Sequence, residues 1–252
     1  VGSVGPLGFD DLKFKVDESI NERVYLWNGR LWKLRVDAVV NTTNEAMNDR
    51  TGLSGSIHTH AGPQLEEETF HTESCRTGEC RLTRAYLLPS KKIIHTVGPR
   101  YNEKYRTAAE SALHYCYRTA LETLLDNKLS SIGLCVVNTD RKAYPKEDAA
   151  HIAIRTVRRF MEQHKRTEEH GAASLSHVVF CVDNPKDLEV YRRLMPLYFP
   201  RNMRDVEMQR ESLPQDIGNE RGEPVVADRE VRIAAMPGMN PDAPPDAFPP
   251  PP

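Results

Sequence analysis

The sequence predicts an α/β domain with a mixed, largely parallel central sheet and helices on both faces. Three observations carry this. Strand-length apolar runs alternate with helical patterns from Val24 to Leu194, the order that builds βαβ units. Ser131 to Val137 (SIGLCVV) is apolar almost throughout, as a strand covered on both faces must be. In Thr107 to Leu125, Ala109, Leu113, Cys116, Tyr117, Ala120 and Leu124 recur at helical steps, which gives one apolar stripe.

The elements follow in order. Residues 1–20 read as a loose leader, because no apolar period runs through them. Val24–Trp27 and Val36–Val40 are strands, rich in β-branched and aromatic residues. Ser54–Ala61 is a short helix with Ser54 as its N-cap, and Gln64–Phe70 is a second, opened by Pro63. Arg84–Leu88 and Lys92–Val97 read as strands, the latter stopped by Gly98-Pro99. After the long helix and the SIGLCVV strand come a helix over Lys146–His164, a strand over His177–Val182 and a helix over Lys186–Leu194. From residue 201 to 252 the chain reads as an extended polar tail that becomes proline-rich from Met236 and cannot bury a core. The ending PPDAFPPPP reads first as a solvated linker and second as a ligand for a proline-reading partner.

Composition narrows the function. Hydrophobic residues make up 39 % and net charge is −2, so no basic footprint favours RNA or DNA as partner. No apolar run reaches membrane-spanning length and no signal peptide is present. Together with five cysteines in no repeating pattern, this predicts reduced thiols and an intracellular location, cytoplasmic or nuclear. Cys75 and Cys80 stand five apart with His71 nearby; that spacing is not a usual zinc pair, and no metal or cofactor is expected.

Two loops leave strand ends and enter helices, where ligands bind in open α/β sheets. The first runs from Asn41 to Gly55. Asn41 and Asn44 offer donors and acceptors to ribose hydroxyls or to the loop itself, and Gly52 and Gly55 relieve crowding at the helix start. The second runs from Asn138 to Pro145 and holds no glycine, but supplies Arg141 and Lys142. Loops from neighbouring strands would grip a diphosphate between them, with the helix N-terminus favouring negative charge. His58 and His60, two apart, cannot share a helix face for a metal. A Ser54–His58 pair has hydrogen-bond spacing but no acid partner. His95 reads as scaffold, and Arg158-Arg159 and Arg192-Arg193 as surface charge.

VDAVVNTTNE, SIHTHAGPQL, CRTGECRLTRAYLLPSKKIIHTVGP and the helix containing SALHYCYRTAL resemble the macrodomain family, in order from Val24 to Phe199. The resemblance implies a three-layer α/β/α macrodomain over residues 21–200 that takes ADP-ribose, or an ADP-ribosylated protein, in the cleft between the two loops. VNTTNE, YRTAAESALHYCYR, HIAIRTVRRF and DIGNERGEPVVADREVRI are similar to members in which a Sec14-like (CRAL-TRIO) domain follows the macrodomain. None is visible here, so the chain is expected to be a truncated form or fragment, in keeping with its start at Val1.

Departures from the family pattern shape the functional expectation. Binding members place an acidic residue after the position of Gly29, where it accepts from the adenine amine; here it is Arg30, which only donates. Hydrolase members carry a glycine run and an Asp in the first loop; the matching stretch is Asn48 to Ser54, with Ser54 at the acidic position and no basic partner beside it. The second loop, S-T-G-x-aromatic-G-Y-P in binding members, is here Asn138, Thr139, Asp140, Arg141, Lys142, Ala143, Tyr144 and Pro145. The reading is a degenerate cleft in which side chains replace a main-chain phosphate grip. Its candidate ligand residues are Arg30, Asn41, Asn44, Gly52, Ser54, Gly55, Asn138 to Ala143 and Tyr144, with no residue assigned to catalysis. Two alternatives stand beside this non-catalytic module: a hydrolase of mono-ADP-ribosylated protein, and a scaffold with no small-molecule ligand.

Overall fold

The computed structural model describes residues 12–137, 144–171 and 174–225. Six strands among them form one sheet: β1 (Val24–Trp27), β2 (Ala38–Thr42), β3 (Cys80–Arg84), β4 (Lys92–Thr96), β5 (Ser131–Leu134) and β6 (His177–Cys181). Their spatial order is β1-β6-β5-β2-β4-β3, with β3 antiparallel to β4 and the other pairings parallel. All five residues of β2 are buried, as its central place requires. Helices α1 (Glu18–Asn21), α2 (Gly52–Ala61), α3 (Pro63–His71), α4 (Arg106–Asp126), α5 (Lys146–Glu168), α6 (Pro185–Tyr198) and α7 (Met203–Ser212) flank the sheet. The α/β/α expectation holds. β2 and β5 are neighbours, so the two loops predicted to face one cleft do leave adjacent strands.

Several expectations are corrected. The strand placed at Arg84–Leu88 lies at Cys80–Arg84. Tyr86 instead takes φ 52° in a turn, in which the Leu88 amide donates to the Ala85 carbonyl. Helix α2 begins at Gly52, two residues early, with Thr51 at the N-cap position. The described part of the leader is packed: Phe14 is buried, its ring 4.9 Å from that of Tyr198. The tail is not extended at its start, because α7 turns back. Gln209 accepts from the Phe14 amide and donates to its carbonyl. Beyond α7, Arg155 donates to the carbonyls of Gly222 and Asp216 and pairs with Glu110. Arg158, read as surface charge, is 1 % exposed, since these same segments cover it. Its guanidinium donates to the Lys15 carbonyl and pairs with Glu162. The proline-rich part lies outside the described residues.

Asp37, just before β2, ties three strands together. Its carboxylate accepts from the Ser130 and Ser131 amides and the Ser130 hydroxyl, and pairs with Lys91 at 2.6 Å. Its carbonyl takes the Lys91 and Lys92 amides. Burial favours the neutral acid, but Lys91 and the Ser130 and Ser131 donors outweigh it and hold the carboxyl well below the usual carboxylate range. An Asp depressed in the fold adds stability that is complete above the unfolded pKa of about 3.9 and fades as pH falls. Asp37→Asn should therefore cost about 2 kcal/mol near neutrality, and the difference from wild type should shrink below about pH 4. Urea denaturation at pH 7 and pH 3 checks both. A penalty equal at the two pH values would contradict this role.

Candidate functional site

A cleft of about 920 Å³ opens over the carboxyl ends of β2, β5 and β6 and the segment after β1. That volume suits a ligand larger than a single sugar or base. Thr42 to Glu45 bring the end of β2 to it, and Thr51 to Ser54 bring the start of α2. Gly29, Leu31 and Trp32 close one end, while Thr77 and Gly98 stand towards the other.

The start of α2 is a loop built to present amides. Asp49 accepts from the Thr51 amide and hydroxyl, which folds the loop into an Asx turn. Gly52 follows at φ 53°, a conformation that favours glycine. A Cβ on Gly55 would lie 2.3 Å from the Arg50 carbonyl oxygen, so only glycine lets the helix pass beneath the loop. The Gly55 amide bonds to the Thr51 carbonyl, whereas Gly52, Leu53 and Ser54 occupy the first turn, where amides lack intrahelical acceptors. All three residues line the cleft. On this side the cleft is open, not filled by side chains as the sequence suggests. The reason is that Asp49 is turned onto Thr51 and Arg50 is paired with Glu66 at 3.1 Å.

The structure sorts the sequence-predicted residues. Asn44, Gly52 and Ser54 line the cleft. Gly55 sits just behind the first turn. Arg30 stands at the rim, its guanidinium 5.8 Å from the Trp32 ring centre. Tyr144 is buried against Tyr101, with ring centres 4.7 Å apart. Asn138, Thr139, Asp140, Arg141, Lys142 and Ala143 lie outside the described residues. Asn41 is fully buried under the cleft floor. Its Nδ2 donates to Ser54 Oγ and to His95 Nδ1, both at 3.2 Å, and His95 Nε2 lies 2.8 Å from Thr83 Oγ1. With Nδ1 accepting, the neutral ring carries its proton on Nε2 and donates to Thr83. Asn41 Oδ1 is left without a partner. Turning the amide over would orphan two donors instead of one acceptor, so this orientation is the better one.

Ser54 is therefore neither an N-cap nor a partner of His58. Its hydroxyl donates to Thr43 Oγ1 at 3.3 Å and it is 1 % exposed. His58 is buried with neither ring nitrogen in hydrogen-bond geometry. Burial, with help from Arg50, pushes its pKa down to about 4. Burial and the neighbouring His58 push His95 down to about 3.

Charge in the described lining leans negative. Glu45, Asp49, Asp183 and Asp187 stand against Arg100 and Lys146, and Lys146 is paired with Asp187 at 2.8 Å. Sequence reasoning missed Trp32, Asp183 and the Lys146–Asp187 pair. Asp183 was findable, since it directly follows a buried strand, as Asn41 and Asn138 do. The Lys146–Asp187 pair joins two helix starts 41 residues apart, and no local signal announces it.

The Macro domain family model matches residues 40–153. The crystal structure of the macro domain of ganglioside-induced differentiation-associated protein 2 (GDAP2) superposes with a TM-score of 0.71 at 44 % identity, covering 76 % of this chain and 91 % of that one. The chain belongs to the macro domain family. Among curated proteins it is similar to a GDAP2 homolog of Nematostella vectensis, 49 % identical over 225 residues, which is 89 % of this chain and 43 % of that protein. The chain thus spans less than half the length of the curated relatives it matches. A Trypanosoma brucei macrodomain solved in complex with ADP-ribose aligns at 35 % identity and a TM-score of 0.62, covering 73 % of this chain and 75 % of that one. No helix among the described residues is long and apolar enough to cross a membrane.

Two outcomes follow. Gly55→Ala must displace the Arg50 carbonyl, and should lower stability by about 1–3 kcal/mol in a denaturant titration, whereas a loss under about 0.5 kcal/mol would mean the loop gives freely. A His neutral in the fold at about 4 and titrating near 6.5 when unfolded adds stability that is complete above about pH 6.5 and lost as pH falls towards about 4. His58→Gln should therefore flatten the decline in unfolding free energy between pH 7 and pH 5. An unchanged slope would show that His58 is protonated in the fold.

Proposed function

We propose that this domain is a non-catalytic binding module for a nucleoside diphosphate ribose of the ADP-ribose type, which it holds weakly. The observation that carries this reading is the first turn of α2. Three amides without intrahelical acceptors stand beside an open cleft wide enough for a nucleotide, and a helix N-terminus favours a phosphate there. The complex of the Trypanosoma brucei relative with ADP-ribose supports the ligand class. Weakness follows from the excess of carboxylates in the described lining, which oppose a diphosphate across a partly desolvated space.

Absence of turnover follows from the position of Ser54. Hydrolysis needs a group that takes a proton from water and lies within hydrogen-bond reach of it. The Ser54 hydroxyl is instead buried, accepts from Asn41 and donates to Thr43. Asp49 lines the cleft, but its carboxylate is committed to Thr51. An ADP-ribosylated protein would be held by its ADP-ribosyl group and released unchanged.

Isothermal titration and thermal shift of the full chain with ADP-ribose test the binding. A saturable signal with Kd in about the millimolar range is expected, and no heat and no shift at millimolar ligand would overturn the proposal. Leu53→Pro removes one first-turn amide at a position where proline is tolerated. It should weaken binding about tenfold, the loss of one hydrogen bond to a charged group, with the fold retained by circular dichroism. Incubation with a mono-ADP-ribosylated protein should release no ADP-ribose, and release that depends on this chain would restore the hydrolase reading.

A further inference from the structure

Resting on the nucleotide reading of this cleft, we infer that its base-binding end is built for a 6-oxopurine such as guanine rather than for adenine. The diphosphate position is set by the first turn of α2, at the end of β2. One end of the cleft then carries polar Asn44 and Thr77, suited to ribose hydroxyls. The other carries Leu31 and the indole of Trp32, the flat apolar wall on which a base stacks.

Two charged side chains frame that wall. Arg30 stands over the Trp32 ring at 5.8 Å and makes no ion pair among the described residues. Asp183 comes from the neighbouring strand end. β1 and β6 run parallel with Trp27 beside Cys181. Past the strands the pairing continues, as the Val182 amide donates to the Trp27 carbonyl and Cys181 Sγ to the Gly29 carbonyl, each at 3.0 Å. Asp183 therefore leaves β6 beside the Gly29–Arg30 turn. It lines the cleft and has neither ion pair nor hydrogen bond among the described residues. Asn184, next in sequence, is committed to capping α6 through the Lys186 amide.

A fork of donors and a carboxylate thus flank one aromatic wall. Guanine presents O6 and N7 as adjacent acceptors, which a guanidinium takes with two parallel bonds. It also presents N1–H and the 2-amino group as adjacent donors, which a carboxylate takes in the same way. Adenine sets its single amine between isolated acceptors, so it satisfies each side chain with one bond at most and turns N–H groups towards the Arg30 fork. Loss of a bidentate pair corresponds to about tenfold in affinity or more.

The test is titration of the full chain with GDP-ribose, IDP-ribose and ADP-ribose, which share the diphosphate ribose and differ only in the base. GDP-ribose should bind about tenfold tighter than ADP-ribose, with IDP-ribose, lacking the 2-amino group, between them. Arg30→Ala and Asp183→Ala, both exposed positions, should each bring the GDP-ribose to ADP-ribose ratio close to one. A wild-type ratio of one or below, or a ratio that survives both substitutions, overturns this inference and leaves the nucleotide reading standing. Failure of all three ligands to bind overturns both.

Discussion

The carboxamide of Asn41 is the junction on which the cleft depends. It sits in the last turn of the sheet's central strand, and from there it holds the start of α2 through Ser54 and the β4–β3 edge through His95 and Thr83. Each partner is buried, so none can turn to water if the junction is lost. The first turn of α2, and with it the only arrangement of amides argued here to meet a phosphate, is placed by this chain of side-chain bonds. The same bonds use the Ser54 hydroxyl and leave nothing at that position to activate water.

At the other end of β2, Asp37 does a related job with charge. It fixes the starts of β4 and β5 to β2, so the central strand is pinned at both ends and the loops leaving it emerge at set places. Both devices keep histidines neutral or a carboxylate ionised inside the fold, and both lose their value in acid. A domain assembled this way is more stable at neutral pH than its apolar core alone would make it.

The sheet was legible because a parallel sheet writes itself as unbroken apolar runs, and α4 because its stripe repeats over five turns. The turn at Tyr86 was misread as strand because Ala85, Tyr86 and Leu88 are apolar for packing reasons that periodicity does not separate from pairing. The tail after Pro200 was misread for a different reason. Its anchors are backbone carbonyls such as that of Gly222, taken by Arg155 from α5, and a carbonyl has no signature in sequence. The candidate site was half legible. Strand-end reasoning located the cleft and its loop, but it could not tell that Asn41 points below the floor while Asn44 lines it. Charge counting in the second loop also could not reveal that Asp183 and Trp32 belong to the same space.

The central claim is that the amides of Gly52, Leu53 and Ser54 form the phosphate-facing part of an open cleft. Amide-resolved NMR of the labelled chain, titrated with ADP-ribose and separately with inorganic pyrophosphate, reads those groups directly. The account predicts that these three amide resonances move together and more than any others among the described residues, with both ligands. Ligand-induced shifts elsewhere, with these three unmoved, would contradict it.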